Sequence, residues 1–127
     1  MDIETHLRRV AAGFSSQDGV TSFASTVRRI QDERAQVKAR LHFFDSSYVD
    51  IQEIVDTTSC YPNRVRYSYQ YVRHGSRVFR YDNSPHHRSL ATFPHHKHIG
   101  PQGSEQISES QCPSHAELFR EIGRYLA

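Results

Sequence analysis

The middle of the chain contains two neighbouring segments in which apolar and polar residues alternate. In RVRYSYQYV every second residue from Val65 to Tyr71 is apolar or aromatic, and RVFRYD continues the alternation with Phe79 and Tyr81. Gly75 lies between the two segments. A period of two is typical of a β-strand with one buried face, and a glycine between two such strands favours a hairpin.

The aromatic residues of this hairpin also predict its register. A loop of three residues around Gly75 places Phe79 opposite Tyr71 and Tyr81 opposite Tyr69. We expect this pairing because cross-strand aromatic pairs stabilise antiparallel strands by a few tenths to about 1 kcal/mol each.

The segments before this hairpin predict further strands. QVKARLHFF and YVDIQEIVD alternate in the same way and are separated by the short turn DSSY, which predicts a second hairpin. The preceding segment VTSFASTVRRI fits a helix by its apolar spacing and a strand by its Thr, Ser, Val and Phe content. The sequence does not decide between helix and strand for this segment.

Both ends of the chain predict helices. Near the start, Leu7, Val10 and Phe14 have helical spacing, and Asp2 can cap the first turn. Near the end, Ser114 and Glu117 have the spacing of a capping box, in which each side chain binds a backbone N–H of the first turn.

These elements predict an α+β fold in a single domain of residues 1–127. The N-terminal helix covers residues 2–15. An antiparallel sheet of four to five strands, with a His-rich loop and a short strand near His95–Ile99, covers residues 20–100. A polar linker of residues 101–113 leads to the C-terminal helix, residues 114–126.

The totals suggest a cytoplasmic protein. Hydrophobic residues make up 36% of the chain, and no run approaches the about 20 apolar residues of a membrane span. The start MDIETHLRRV is acidic at once and lacks the pattern of a secretory signal. We therefore expect no membrane partner, and Cys60 and Cys112 are expected to be free thiols.

Positive charge is concentrated in one window. Residues 64–100 contain seven Lys or Arg side chains and a single acidic one, Asp82, whereas the chain as a whole carries +2. Six of the nine histidines lie in the same window. Such a concentration of positive charge favours binding of a polyanion, and nucleic acid is the commonest polyanion in cells.

The segment RYDNSPHHRSLATFPHHKHIG holds five of those histidines. Cleavage of RNA by its own 2′-hydroxyl requires a base, an acid and cations for the developing charge, and histidine can supply both proton-transfer groups near neutral pH. The candidate catalytic residues are His86, His87, His96, His98 and Asp82, with Asp82 orienting one ring. The candidate RNA-binding residues are Arg64, Arg66, Arg80 and Lys97, with Tyr67 and Tyr69 as stacking faces for bases.

Two other interpretations of the histidines remain open. His96 and His98 would share one side of a strand and could bind a metal with His86, His87 or Asp82, although Lys97 between them opposes a dication. The chain would then be a metal-dependent hydrolase or nucleotidyltransferase. The chain could also be a binding module that inhibits a target without breaking a bond. We expect no metal and no other cofactor.

The motifs RYSYQY, FRYDNSPHH and TFPHHKHIG resemble the TumE family of small bacterial and archaeal proteins, over about residues 37–100. The resemblance implies a toxin of a toxin–antitoxin pair, neutralised by an antitoxin that binds DNA. The positions that match the family motifs are Tyr67, Tyr69, Arg80, Asp82, Asn83, His86, His87, Phe93, Pro94, His95, His96, Lys97 and His98. The leading expectation is a toxin that cleaves messenger or ribosome-bound RNA without a metal, with Arg80 and Lys97 binding the scissile phosphate.

Overall fold

The computed structural model describes residues 3–58 and 63–126. Asp2 and Cys60 therefore lie outside the described residues, whereas Cys112 is a free thiol. The elements in chain order are α1 (Ile3–Ser15), β1 (Val20–Gln31), β2 (Arg34–Phe43), β3 (Tyr48–Asp56), β4 (Asn63–Arg73), β5 (Ser76–Asp82), β6 (His96–Ile99), β7 (Gln106–Glu109) and α2 (His115–Gly123).

All seven strands form one antiparallel meander in the order of the chain. The expectation of four to five strands was too low. The ambiguous segment before β2 is a strand, and β7 lies in the segment predicted as a linker. Sequence periodicity missed both because β1 exposes nearly all of its residues and β7 contains only one apolar residue, Ile107. Neither strand therefore has a buried face, and so neither shows the alternation of apolar and polar residues that would reveal a strand in the sequence.

The aromatic register of the β4–β5 hairpin is confirmed, but by a different turn. Tyr69 is opposite Tyr81 and Tyr71 is opposite Phe79. Two residues, His74 and Gly75, connect the strands, with φ angles of 51° and 72° that suit a tight hairpin turn. A bulge after Tyr71 then shifts the ladder so that the aromatic residues meet.

Both helices pack on one face of the sheet. Phe14 of α1 and Leu118 and Ile122 of α2 contact the buried side chains of the strands, among them Leu41 and Tyr69. We call the face of the sheet on which both helices pack the helix-covered face. The predicted capping box at Ser114 and Glu117 is present at the start of α2. In the described parts of the chain, neither helix is long and apolar enough to cross a membrane.

The other face, which we call the open face, carries the alternate residues of the same strands. One row of directly paired residues runs through Lys38, Gln52, Ser68, Asp82 and His96. The neighbouring row runs through Arg40, Asp50, Gln70, Arg80 and His98. The meander therefore aligns the polar residues of five strands side by side.

The turn after β4 provides a test of the fold. Gly75→Ala places a side chain at a positive φ, so we expect a loss of about 1 kcal/mol in the free energy of unfolding, measured by urea denaturation. Gly13→Ala is the matched control, because an added Cβ in α1 meets no atom within 4 Å. Equal stability of the two variants would contradict the turn geometry.

Candidate active site

Asp82 is the centre of a polar cluster on the open face. Its side chain is nearly buried and its Oδ1 lies 2.9 Å from His96 Nε2. Its Oδ2 lies 3.0 Å from Arg80 Nε and 3.3 Å from His98 Nε2. The backbone N–H of Ser84 donates to Oδ1 at 3.0 Å. A buried carboxylate needs such compensation, because its charge has lost the solvation of water.

His96 is fixed at both ring nitrogens. Its Nε2 contacts Asp82, and its Nδ1 lies 2.9 Å from the carbonyl oxygen of Pro94. The side chain is 2% exposed and cannot reach a substrate. The two contacts fix the His96 ring against Asp82 beneath the surface of the cluster.

His98 is the more accessible of the two β6 histidines, with 15% of its side chain exposed. Burial lowers the pKa of His98, Asp82 opposes this effect, and the positive charges of His96, Arg77 and Arg80 add to the lowering. The neutral ring, which can accept a proton, is therefore favoured near neutral pH.

The loop between β5 and β6 brings a third ring to the cluster. His87 is exposed and has a φ of 61°, and its ring centroid lies 5.0 Å from that of His96 and 5.9 Å from that of His98. The loop begins at Asn83, whose amide donates to Val65 O at 3.0 Å and accepts from the Tyr67 N–H at 3.0 Å. This amide ties the loop to β4 and fixes its start.

A cleft of about 200 Å³ adjoins the cluster on the open face. Its lining residues are Gln36, Gln52, Glu53, Ile54, Arg66, Tyr67, Ser68, Arg80 and Ser84. Of these, Glu53 and Tyr67 make their side-chain contacts on the helix-covered face. Arg80 and Ser84 also contact Asp82, so the cleft and the histidine cluster form one continuous surface.

Comparison with family models gives a match to Toxin TumE over residues 7–127. The chain belongs to the TumE toxin family. The resemblance seen in residues 37–100 is thereby confirmed, and the match extends beyond it on both sides, from residue 7 within α1 to residue 127. Family membership supports a toxin role. Comparison with curated proteins and with solved structures found no match.

In this TumE protein the structure brings together most of the predicted catalytic residues. His87, His96, His98 and Asp82 meet in the cluster, and Arg80 and Arg66 lie beside it. His86 does not join them: its one described contact is a hydrogen bond from its backbone N–H to Ser84 O at 2.7 Å. The turn at the positive φ of His87 directs only that ring to the sheet.

The expected stacking role of Tyr67 and Tyr69 does not agree with the packing. Their side chains belong to the core, at 4% and 0% exposure, and their rings stack on each other at 5.3 Å between centroids. Their faces are therefore unavailable to a base. The alternation that made these residues conspicuous is the pattern of a core-facing strand.

Two of the predicted phosphate-binding residues also point away from the cluster. Lys97 lies on the helix-covered face, where its Nζ donates to Glu121 Oε2 at 2.5 Å. Arg64 donates to Tyr69 Oη at 2.8 Å and to Pro113 O at 2.6 Å. Lys97 alternates with its two histidine neighbours and so must face the opposite side of β6.

Sequence analysis missed a second buried carboxylate, Glu53, on the helix-covered face. Its Oε2 accepts from Tyr69 Oη at 2.5 Å and lies 2.7 Å from His115 Nε2. Burial raises the pKa of Glu53, but the hydrogen bonds from His115 and Tyr69 and the charge of Arg64 outweigh it and hold the pKa below its ordinary value. An inward position in the alternation of YVDIQEIVD was the available signal for this residue.

Glu53→Gln should destabilise the TumE fold by about 2–3 kcal/mol at pH 7, because a buried charged hydrogen-bond acceptor is removed. The lowered pKa means that ionised Glu53 contributes stability above the ordinary glutamate pKa, and this contribution is lost as pH falls through the lowered value. The difference between wild type and variant in urea denaturation should therefore shrink in acid.

The exposed Glu4 offers a matched control, since Glu4→Gln should change stability by no more than about 0.5 kcal/mol. A constant difference between wild type and Glu53→Gln from neutral pH to pH 3 would show that the charge of Glu53 does not stabilise the fold.

Proposed function

We propose that this toxin inhibits growth by cleaving RNA at the cluster of His87, His98 and Arg80, without a metal ion. The observation that carries the proposal is the contrast between the histidines. His96 is locked against Asp82, whereas His98 is partly exposed with a lowered pKa and His87 is exposed on a loop beside it. One partly exposed imidazole, whose Nε2 lies 3.3 Å from Asp82 Oδ2, and one exposed imidazole beside an arginine are groups that phosphodiester transfer can use.

The proposed reaction is transfer to the neighbouring 2′-hydroxyl. His98 accepts the proton of that hydroxyl while the 2′-oxygen forms a bond to phosphorus. The bond from phosphorus to the 5′-oxygen breaks, and protonated His87 donates a proton to that leaving oxygen. The products are a 2′,3′-cyclic phosphate and a 5′-hydroxyl, and Arg80 donates hydrogen bonds to the phosphate oxygens that gain charge.

The charge of the open face supports RNA as the substrate. Lys38, Arg66 and Arg80 lie on it within neighbouring strands, and Arg40 on the same face is paired with Asp50 by two hydrogen bonds. Phosphates bound along such a surface are held by charge, which does not depend on sequence.

A metal-dependent hydrolase is the second candidate, and one observation favours it. One nitrogen from each of His87, His96 and His98 lies within 4.8 Å of the others. Tetrahedral zinc needs such nitrogens about 3.3 Å apart, so nitrogens at the outer end of this range would have to move closer to bind it. The contact of His96 Nδ1 with Pro94 O resembles the outer hydrogen bond of a zinc ligand.

Membership of a toxin family suggests an antitoxin partner. We propose that this antitoxin neutralises the toxin by covering the open face with an acidic segment, because an exposed basic surface would otherwise bind RNA without selection. Its DNA-binding character follows from the family resemblance alone.

The first test is cleavage of RNA by the purified chain in excess EDTA. We expect wild type to cleave, and His98→Ala and His87→Ala to lose activity by about 10²–10⁴-fold, the usual contribution of a proton-transfer group. His74→Asn is the matched control, because it removes an imidazole from the β4–β5 turn and asparagine tolerates the positive φ there. Circular dichroism should show that all variants are folded.

The two alternatives give different results in the same assay. Cleavage that appears only after zinc is added, and that is lost in His96→Ala, would replace the metal-free mechanism with the metal-dependent one. Intact RNA under all conditions, together with growth inhibition that still depends on His98, would favour an inhibitory binding module.

A further inference from the structure

The cleft beside the histidine cluster has a lining suited to more than phosphate binding. It opens on the same face as Arg80 and Ser84, which contact Asp82, and it extends away from the histidines toward β2 and β3. A nucleotide whose phosphate binds Arg80 therefore has an adjoining space of about 200 Å³ for its own base or for its neighbour's.

The two arginines of this cleft offer only hydrogen-bond donors, whereas its Gln and Ser side chains can both donate and accept. Arg66 is exposed and has five donors, and no ion pair occupies it among the described residues. Gln36 Oε1 already accepts from Arg28 at 3.2 Å, so its amide N–H groups remain to face the cleft. Arg80 adds further donors at the border with the cluster.

We propose that this cleft binds one unpaired keto base, guanine or uracil, next to the scissile phosphate of single-stranded RNA. The proposal deepens the proposed function and depends on RNA being the substrate. Guanine and uracil present carbonyl oxygens where adenine and cytosine present amino donors, so a donor-rich lining discriminates between the two pairs. The base must be unpaired because pairing would occupy those oxygens.

Arg66 is the residue on which the selection depends most. A guanidinium can donate two parallel hydrogen bonds to the acceptors of guanine, whereas an ammonium is a point charge. Arg66→Lys keeps the net charge of the open face and removes this paired geometry. Arg29→Lys is the matched control, since Arg29 is exposed on β1 and lies outside the cleft.

The test measures binding of four 2′-O-methyl tetranucleotides, AAXA with X as G, U, A or C, by fluorescence anisotropy. The 2′-O-methyl group prevents cleavage, so affinity is measured apart from the reaction. We expect wild type and Arg29→Lys to bind the G and U oligonucleotides at least about tenfold more tightly than the A and C ones, the size of one good base contact. In Arg66→Lys and Gln36→Ala the four affinities should converge.

Three outcomes would overturn the inference. They are equal affinity of wild type for all four oligonucleotides, absence of binding, and a preference that survives both Arg66→Lys and Gln36→Ala. A uniform loss of affinity in Arg66→Lys, with the preference kept, would make Arg66 a phosphate contact and would also overturn it. A preference for G and U without cleavage of unmodified RNA would instead contradict only the proposed function.

Discussion

The strict alternation of side chains across a paired meander is the constraint on which this molecule depends. Each strand is antiparallel to the next, so a residue that faces inward pairs with inward-facing residues on both neighbours. The rule separates His96 and His98 from Lys97 although they are consecutive. It also sends the tyrosines of β4 into the core while Arg66 and Ser68 line the cleft.

Each face of the sheet holds one buried carboxylate, and the surroundings of the two carboxylates differ. Glu53 is enclosed by Tyr69 and His115, so its charge joins β3 to β4 and to α2 within the core. Asp82 is equally buried, but its partners Arg80 and His98 extend toward solvent. Removing one partner from such an arrangement leaves an uncompensated charge. The first arrangement therefore lies within the core, and the second places charged and titratable side chains at a surface.

Much of the fold could be predicted because it depends on local rules. The aromatic register of β4 and β5 and the capping box of α2 follow from pairs of side chains that are close in sequence or in one hairpin. The number of strands could not, because β1 and β7 are edge strands held mainly by backbone hydrogen bonds. For the site, Asp82 and three of the four histidines predicted as catalytic meet in one cluster. Lys97 was expected at the phosphate with them but faces the helices, and Glu53 was not singled out because its partners Tyr69 and His115 are distant in sequence.

The electrostatics of the cluster suit the proposed binding of a phosphate beside a neutral imidazole. Asp82 is paired with Arg80 and contacts His96 and His98, and Arg77 adds further positive charge beside them. This positive charge, added to burial, lowers the pKa of His98. Without Asp82 the cations would repel each other and the rings would lose their anchor. The carboxylate thus keeps the cations together, and their charge adds to the effect of burial in holding the pKa of His98 below its ordinary value.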